Sequence, residues 1–172
     1  METTITVTWG GHPVQLTWFA ASALPDRKQM QATSVHGVCE DHGKVLLVQV
    51  TARGFNLPGG HIEEGETPEE ALARECMEEG YVRCDSLSLI GAIQVSHEGN
   101  PSFDANGKYP LIGYQLFYRA RIAECLPYRR ENECRTRIWV EPEEIAYVIN
   151  DHQLVLLAVA EAFRTPHQER SL

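Results

Sequence analysis

Apolar and polar residues alternate at the start of the chain: Ile5, Val7 and Trp9, then Gly10-Gly11, then Val14, Leu16 and Trp18. A period of two on both sides of a Gly-Gly pair predicts a β-hairpin. Residues 21–27, with Pro25 and Asp26, read as a linker. Two further apolar runs, 34–39 and 44–50, predict strands joined across Asp41-His42-Gly43. A loop at Arg53-Gly54 leads into Phe55-Asn56-Leu57-Pro58-Gly59-Gly60, and a helix follows. Longer strands are expected at 87–95 and 111–122. The polar segment 97–108 between them, with Pro101, has the length and composition of a substrate-contacting loop, the ordinary hairpin loop being its alternative. A short strand around Ile138-Trp139-Val140, a helical turn over 143–148 opened by Pro142, and a last helix over 151–164 complete the pattern. Strands and helices are interspersed without a regular βαβ repeat, which predicts an α+β fold.

The central helix carries the candidate chemistry. Thr67 is placed to cap it, Pro68 to take its first position, and Glu70 to complete a capping box. At ~100° per residue, Glu75, Glu78 and Glu79 share roughly a quarter of the circumference. Leu72, Ala73, Cys76 and Met77 fall on the adjoining arc, expected to face the core. The alternative is a solvated acidic face, but like charges at i,i+4, as in Glu75 and Glu79, destabilise a helix by a few tenths of a kcal/mol. An all-oxygen acidic site suits Mg²⁺, Mn²⁺ or Ca²⁺, and Mg²⁺ typically binds a few carboxylates together with substrate phosphates. Leu57-Pro58-Gly59-Gly60 would let backbone groups approach such a metal or phosphate closely; a plain turn is the alternative.

Bulk properties narrow the class. The 172 residues suffice for one domain with a proper core, and the 43% apolar fraction is that of a globular protein. No apolar run approaches the roughly 18 residues of a membrane helix. The first residues lack a basic region followed by an apolar one, so no secretory leader is expected. A net charge of −9 disfavours partners such as a nucleic-acid backbone or an anionic membrane, while a bound cation would still admit a phosphate substrate. Five cysteines without a CxxC pair predict free thiols and a cytoplasmic location over a zinc site.

The spacing Gly60, five residues, Glu66, seven residues, Arg74-Glu75-Cys76-Met77-Glu78-Glu79 resembles the Nudix box, G-x5-E-x7-R-E-U-x-E-E-x-G-U with U apolar. Leu57-Pro58-Gly59 matches the usual lead-in, and Val82 the final apolar position. Cys76 replaces the usual aliphatic residue. Tyr81 stands where the family has glycine, with Gly80 one residue early, so the helix is expected to end slightly sooner without loss of ligands. Trp139-Val140-Glu141-Pro142-Glu143-Glu144-Ile145 is similar to a common later segment of the family, and the first 30 or so residues fall outside the resemblance. The family implies an α/β/α sandwich with a mixed β-sheet. Residues 31–172 would form the Nudix hydrolase domain and residues 1–30 an N-terminal β-hairpin extension and linker, which either extends the sheet or forms a homodimer contact.

The resemblance further implies hydrolysis of the phosphoanhydride bond of a nucleoside diphosphate linked to a group X, giving NMP and P-X. Carried over by position, Glu75, Glu78, Glu79 and the Gly60 carbonyl would hold Mg²⁺ or Mn²⁺. Arg74 would orient the glutamates, its alternative being a surface ion pair with Glu70 or Glu78. Glu66 is read as stabilising the loop rather than as an outer ligand. Glu79, Glu75 and Glu133 are the candidates for general base. For the substrate, Phe55 would stack on a base or pack in the core, and Arg53 would pair with a phosphate or lie solvated. The proline that marks ADP-ribose hydrolases is not at its usual spacing, Pro101 being displaced, and the tyrosine of the dinucleoside polyphosphate group is missing. The competing expectation is a non-catalytic nucleotide-binding module acting as a sensor; RNA decapping is disfavoured by the acidic charge.

Overall fold

The alternating N-terminal pattern folds as β1 (Thr3–Trp9) and β2 (His12–Ala20), paired in register from Thr3 opposite Trp18 to Trp9 opposite His12. Gly10 and Gly11 both have positive φ, 57° and 82°, as a two-residue turn matched to strand twist requires. This computed structural model describes residues 2–164; residue 1 and residues 165–172 of the two expected chain segments lie outside the described residues. Strands β3 (Ala32–Asp41) and β4 (Lys44–Val50) flank a similar turn at His42-Gly43. The segment expected as a loop contains two short strands, β5 (Gly54–Asn56) and β6 (Gly59–His61). Strands β7 (Val82–Ser96) and β8 (Ile112–Cys125) outrun their apolar centres, because pairing with each other carries them beyond it, and β9 (Cys134–Val140) follows.

The nine strands form one mixed sheet in the order β1-β2-β7-β8-β3-β4-β5, with β6 beside β3 and β9 beside β4. The β3–β8 pair is parallel. Helix α1 (Pro68–Glu75), continued by a five-residue π turn (Cys76–Gly80), covers one face; α2 (Ile145–Val148) is short, and α3 (Leu154–Arg164) covers the other face. Strand parity divides the apolar residues between them. Leu46, Val48, Leu116 and Tyr118 pack with Leu72 and Cys76, whereas Leu47, Phe117 and Ile93 pack with Leu154, Ala158 and Val159. This is the expected α/β/α sandwich. No helix among the described residues is long and apolar enough to cross a membrane.

Three local expectations change. Ala73 is exposed and Ala71 buried, because the helix turns its 71–72–76 edge to the sheet. The last helix starts at Leu154 rather than at residue 151. The end of the helix is not α: α1 stops at Glu75, a π turn carries the helical backbone to Gly80, and Tyr81 takes the left-handed cap conformation at φ 53°, ψ 42°. Gly80 serves space instead, since a Cβ there would lie 2.8 Å from Leu46 Cδ2. Tyr81 is held by its N–H to the Met77 carbonyl and by its hydroxyl, which accepts from the Glu131 N–H. The five cysteines are free thiols, and Cys39, Cys76 and Cys84 gather their sulfurs within 4.8 Å beneath the helix.

The hairpin extends the sheet. Residues Gln15 to Ala20 pair antiparallel with Gly91 to Ser96, and Val14, Leu16 and Trp18 are buried with the α3-side core. Leu16→Ala is therefore expected to lower global stability by about 2–4 kcal/mol, as for other fully buried leucines. Urea denaturation checks this; a loss under about 0.5 kcal/mol, the size of a surface change, would mean that the hairpin frays independently.

Candidate active site

The site is built where β6 meets the end of the first helix. Thr67 Oγ1 accepts from the Glu70 N–H at 3.2 Å and Glu70 Oε2 accepts from the Thr67 N–H at 2.8 Å, so the capping box fixes where the helix begins and which side Glu75 and Glu79 face. Antiparallel pairing sets Gly60 opposite Val35 and Gly59 opposite His36. Gly59 is sterically required, and Gly60 leaves room for the Glu75 carboxylate. A Cβ at Gly59 would overlap the Val35 carbonyl, and one at Gly60 would overlap the Glu75 carboxylate.

Glu79 is only 8% exposed, and its Oε2 accepts from the Gly59 N–H at 2.9 Å. Burial pushes its pKa up to about 7, with the neighbouring Glu75 charge adding to the rise and the Gly59 hydrogen bond and Arg53 opposing it. Burial also raises Glu75 above its ordinary value, against the pull of Arg74. Arg74 grips Glu66 with two bonds, Nε to Oε1 at 2.7 Å and Nη2 to Oε2 at 3.0 Å. It also donates to Glu75 Oε1 at 2.8 Å and to the His61 carbonyl at 3.0 Å, and reaches Glu78 at 3.4 Å. Its hydrogen bonds, led by those to Glu66, raise the guanidinium pKa further. Glu66 is held at about 2 by Arg74 and by the Glu63 N–H, the arrangement of a loop clamp. Glu78 is the most exposed of the three helix carboxylates.

A cleft of about 500 Å³ opens beside Glu79 and Gly59. Arg53, His36, Asn56 and Asp151 line it, and Asn56 Nδ2 donates to Asp151 Oδ2 at 2.9 Å. His36 stacks on Phe117 with ring centroids 5.0 Å apart, and burial lowers its pKa to about 4, so it stands neutral at pH 7. Of the residues singled out by sequence, Gly60, Arg74, Glu75, Glu78 and Glu79 converge at the helix, and Arg53 faces the same cleft. Two do not join them. Phe55 packs against the α3-side core and bridges to Ile149, leaving it off the cleft wall. Glu133 lines a neighbouring depression with Thr51, Arg130 and Arg135, just before β9 begins at Cys134 opposite Val50, although Asn132 beside it donates to the Glu78 carbonyl and Cys134 bonds Glu79. His36, Asn56 and Asp151 carry no signal in the linear pattern; only sheet register and the chain's return after α2 bring them to the cleft.

The donor set fits a hard divalent cation. Glu75, Glu78 and Glu79 with the Gly60 carbonyl offer only oxygen, and Glu79 is a buried carboxyl whose charge no nearby side-chain cation fully offsets.

A family model described as NUDIX domain matches residues 28–160. The chain is 41% identical over 58 residues to the putative 8-oxo-dGTP diphosphatase YtkD of Bacillus subtilis, covering 34% of this chain and 37% of that protein. It is 29% identical over 135 residues to the mitochondrial Nudix hydrolase 16 of Arabidopsis thaliana, covering 76% of this chain and 72% of that protein. The matches to four curated relatives span between 37% and 72% of those proteins' lengths. In fold, the crystal structure of the Bacillus subtilis pyrophosphohydrolase BsRppH is similar at a TM-score of 0.68 and 21% identity, over 90% of this chain and 95% of that one.

The raised Glu79 pKa makes a stability prediction for the metal-free protein. Below about pH 4.5 the carboxyl is protonated folded and unfolded and contributes nothing. Between 4.5 and 7 the unfolded chain loses the proton that the folded one keeps, so the residue increasingly destabilises the fold, and above 7 the full penalty applies. In EDTA, Glu79→Gln is expected to be more stable than the native chain by about 1–3 kcal/mol at pH 8, with no difference at pH 4. Urea denaturation at both pH values checks it; equal stability at pH 8 would contradict the burial argument.

Proposed function

The chain belongs to the Nudix family, and from that premise we propose that it is a Mg²⁺- or Mn²⁺-dependent pyrophosphohydrolase of free nucleotides, cleaving the phosphoanhydride bond of a nucleoside diphosphate derivative to NMP plus P-X. The observation that carries this reading is the pair of carboxylates, buried Glu79 and partly buried Glu75, set against Gly59-Gly60. Neighbouring carboxylates of which only Glu75 is paired with Arg74 are a costly arrangement that a further cation would relieve. The diphosphatase named among the relatives supports the same reaction class.

Gly60, Glu75, Glu78 and Glu79 would hold the cation, which when bound offsets charge on phosphate oxygens and makes an attacking water more acidic. Glu79, oriented by the Gly59 N–H, is the favoured base, with Glu75 second. Arg74, clamped by Glu66, positions Glu75 and ties the helix to the His61 carbonyl one residue beyond Gly60. Arg53 supplies positive charge to the cleft for a phosphate. Residues 31–172 would constitute the hydrolase domain and residues 1–30 an extension sharing its sheet. The free thiols fit a reducing cytoplasm.

A panel of NTPs, NDP-sugars and dinucleotides assayed for NMP release with Mg²⁺ or Mn²⁺ tests the proposal. Turnover is expected with metal and not in EDTA, and Glu79→Gln is expected to lose about 100-fold or more while remaining folded. Metal and nucleotide binding without turnover of any panel member would replace this reading with the nucleotide-binding sensor.

A further inference from the structure

A second cavity, of about 440 Å³, adjoins the cleft, and Trp9 and Gln115 line both. Its other walls include His61, His97, Tyr109 and Pro110. Two of the large hydrophobic side chains that the described residues leave exposed are on it, Trp9 at 40% and Tyr109 at 46%. Exposed aromatic area gathered on a cavity marks a binding surface more than does the same area scattered singly.

Each wall has a distinct character. Trp9 stands at the tip of the hairpin beside Gly10, and among the described residues no ring stacks on it, so an indole face remains available. Tyr109 is braced: its hydroxyl lies 3.1 Å from His61 Nε2, its ring is tilted against His61 at 5.8 Å, and the Lys108 ammonium lies 5.5 Å from its centroid. Gln115, on β8, is opposite Ser34 and Ile93, and its carboxamide has no hydrogen-bond partner among the described residues. A carboxamide offers one acceptor and two donors, a pattern suited to the edge of a purine. His61 follows Gly60, so the aromatic cavity begins one residue from the carbonyl assigned to the cation.

We propose that this cavity is a nucleobase subsite completed by the N-terminal hairpin, in which a purine stacks on Trp9 against the Tyr109 wall and presents its edge to Gln115 while its phosphates extend to Gly59 and Gly60. The subsite rests on reading the adjoining cleft as a nucleotide site. Trp9 lies outside the segment matched by the family model, residues 28–160, so the hairpin brings a specificity determinant that the family pattern does not contain. The extension is thereby part of the substrate site as well as of the sheet.

The test separates base recognition from hydrolysis. The full chain is titrated in EDTA, where no turnover occurs, with AMP, GMP, CMP and ribose 5-phosphate, and the Trp9 indole N–H is followed by NMR beside calorimetric affinities. AMP or GMP is expected to shift the Trp9 signal and to bind about tenfold more weakly to Trp9→Ala, with Trp9→Phe keeping most of the affinity, as for other base-stacking aromatics. Ribose 5-phosphate should leave the signal in place and bind both proteins alike. Native affinity in Trp9→Ala, an equal shift by ribose 5-phosphate, CMP bound as tightly as the purines, or no purine binding would each overturn the subsite. If purines bind through Trp9 but no panel substrate is hydrolysed, the hydrolase reading fails alone; if nucleotides are hydrolysed and Trp9→Ala changes neither KM nor purine affinity, the subsite fails alone.

Discussion

The close approach of the β6 backbone to the carboxylates of the first helix is the constraint on which the site depends. Gly59 comes so near Val35 and His36 that no side chain fits there, and a Cβ at Gly60 would push the Glu75 carboxylate aside. The space they leave lets the Gly59 N–H reach Glu79 and brings the Gly60 backbone against Glu75. Both ends of this contact are fixed independently, β6 by its register on β3 and the helix by its capping box and by Leu72 and Cys76 in the core. The carboxylates are therefore held in place before any ligand arrives, and the reorganisation required on binding is small.

The electrostatics follow from that placement. Arg74 divides its donors between Glu66, which anchors it, and Glu75, which it positions, so a loop carboxylate and a helix carboxylate, both partly buried, share a single cation. Glu79 is met instead by the Gly59 N–H and the Cys134 thiol, with more distant help from Arg53. The same burial makes its charge costly in the metal-free protein, where its pKa rises to about 7.

The hairpin shows how an element outside the family pattern becomes integral. Its pairing with β7 sends Leu16 and Trp18 into the α3-side core, and the same register sends Trp9 to the rim of the cleft. A strand's two-residue parity and a tight Gly-Gly turn thus serve packing and the site together.

Much was legible from local pattern. The hairpin turn, the capped helix, the phase of Glu75, Glu78 and Glu79, and the Nudix spacing from Gly60 to Val82 are set by residues a few positions apart, where helical and strand periodicity act directly. Even there, local pattern misjudged Ala73 and missed the π turn that ends the helix at Gly80, because which edge packs and where a π turn inserts depend on Leu46 and the sheet beneath. Only the tertiary structure decided that Phe55 faces the core, that Glu133 sits apart, and that Trp9, His36, Gln115 and Asp151 meet at one cleft. Those residues are separated by dozens of positions, and strand order and register bring them together. Register is a property of the whole sheet: it follows from how every strand buries its apolar face at once, and no short stretch of sequence carries it.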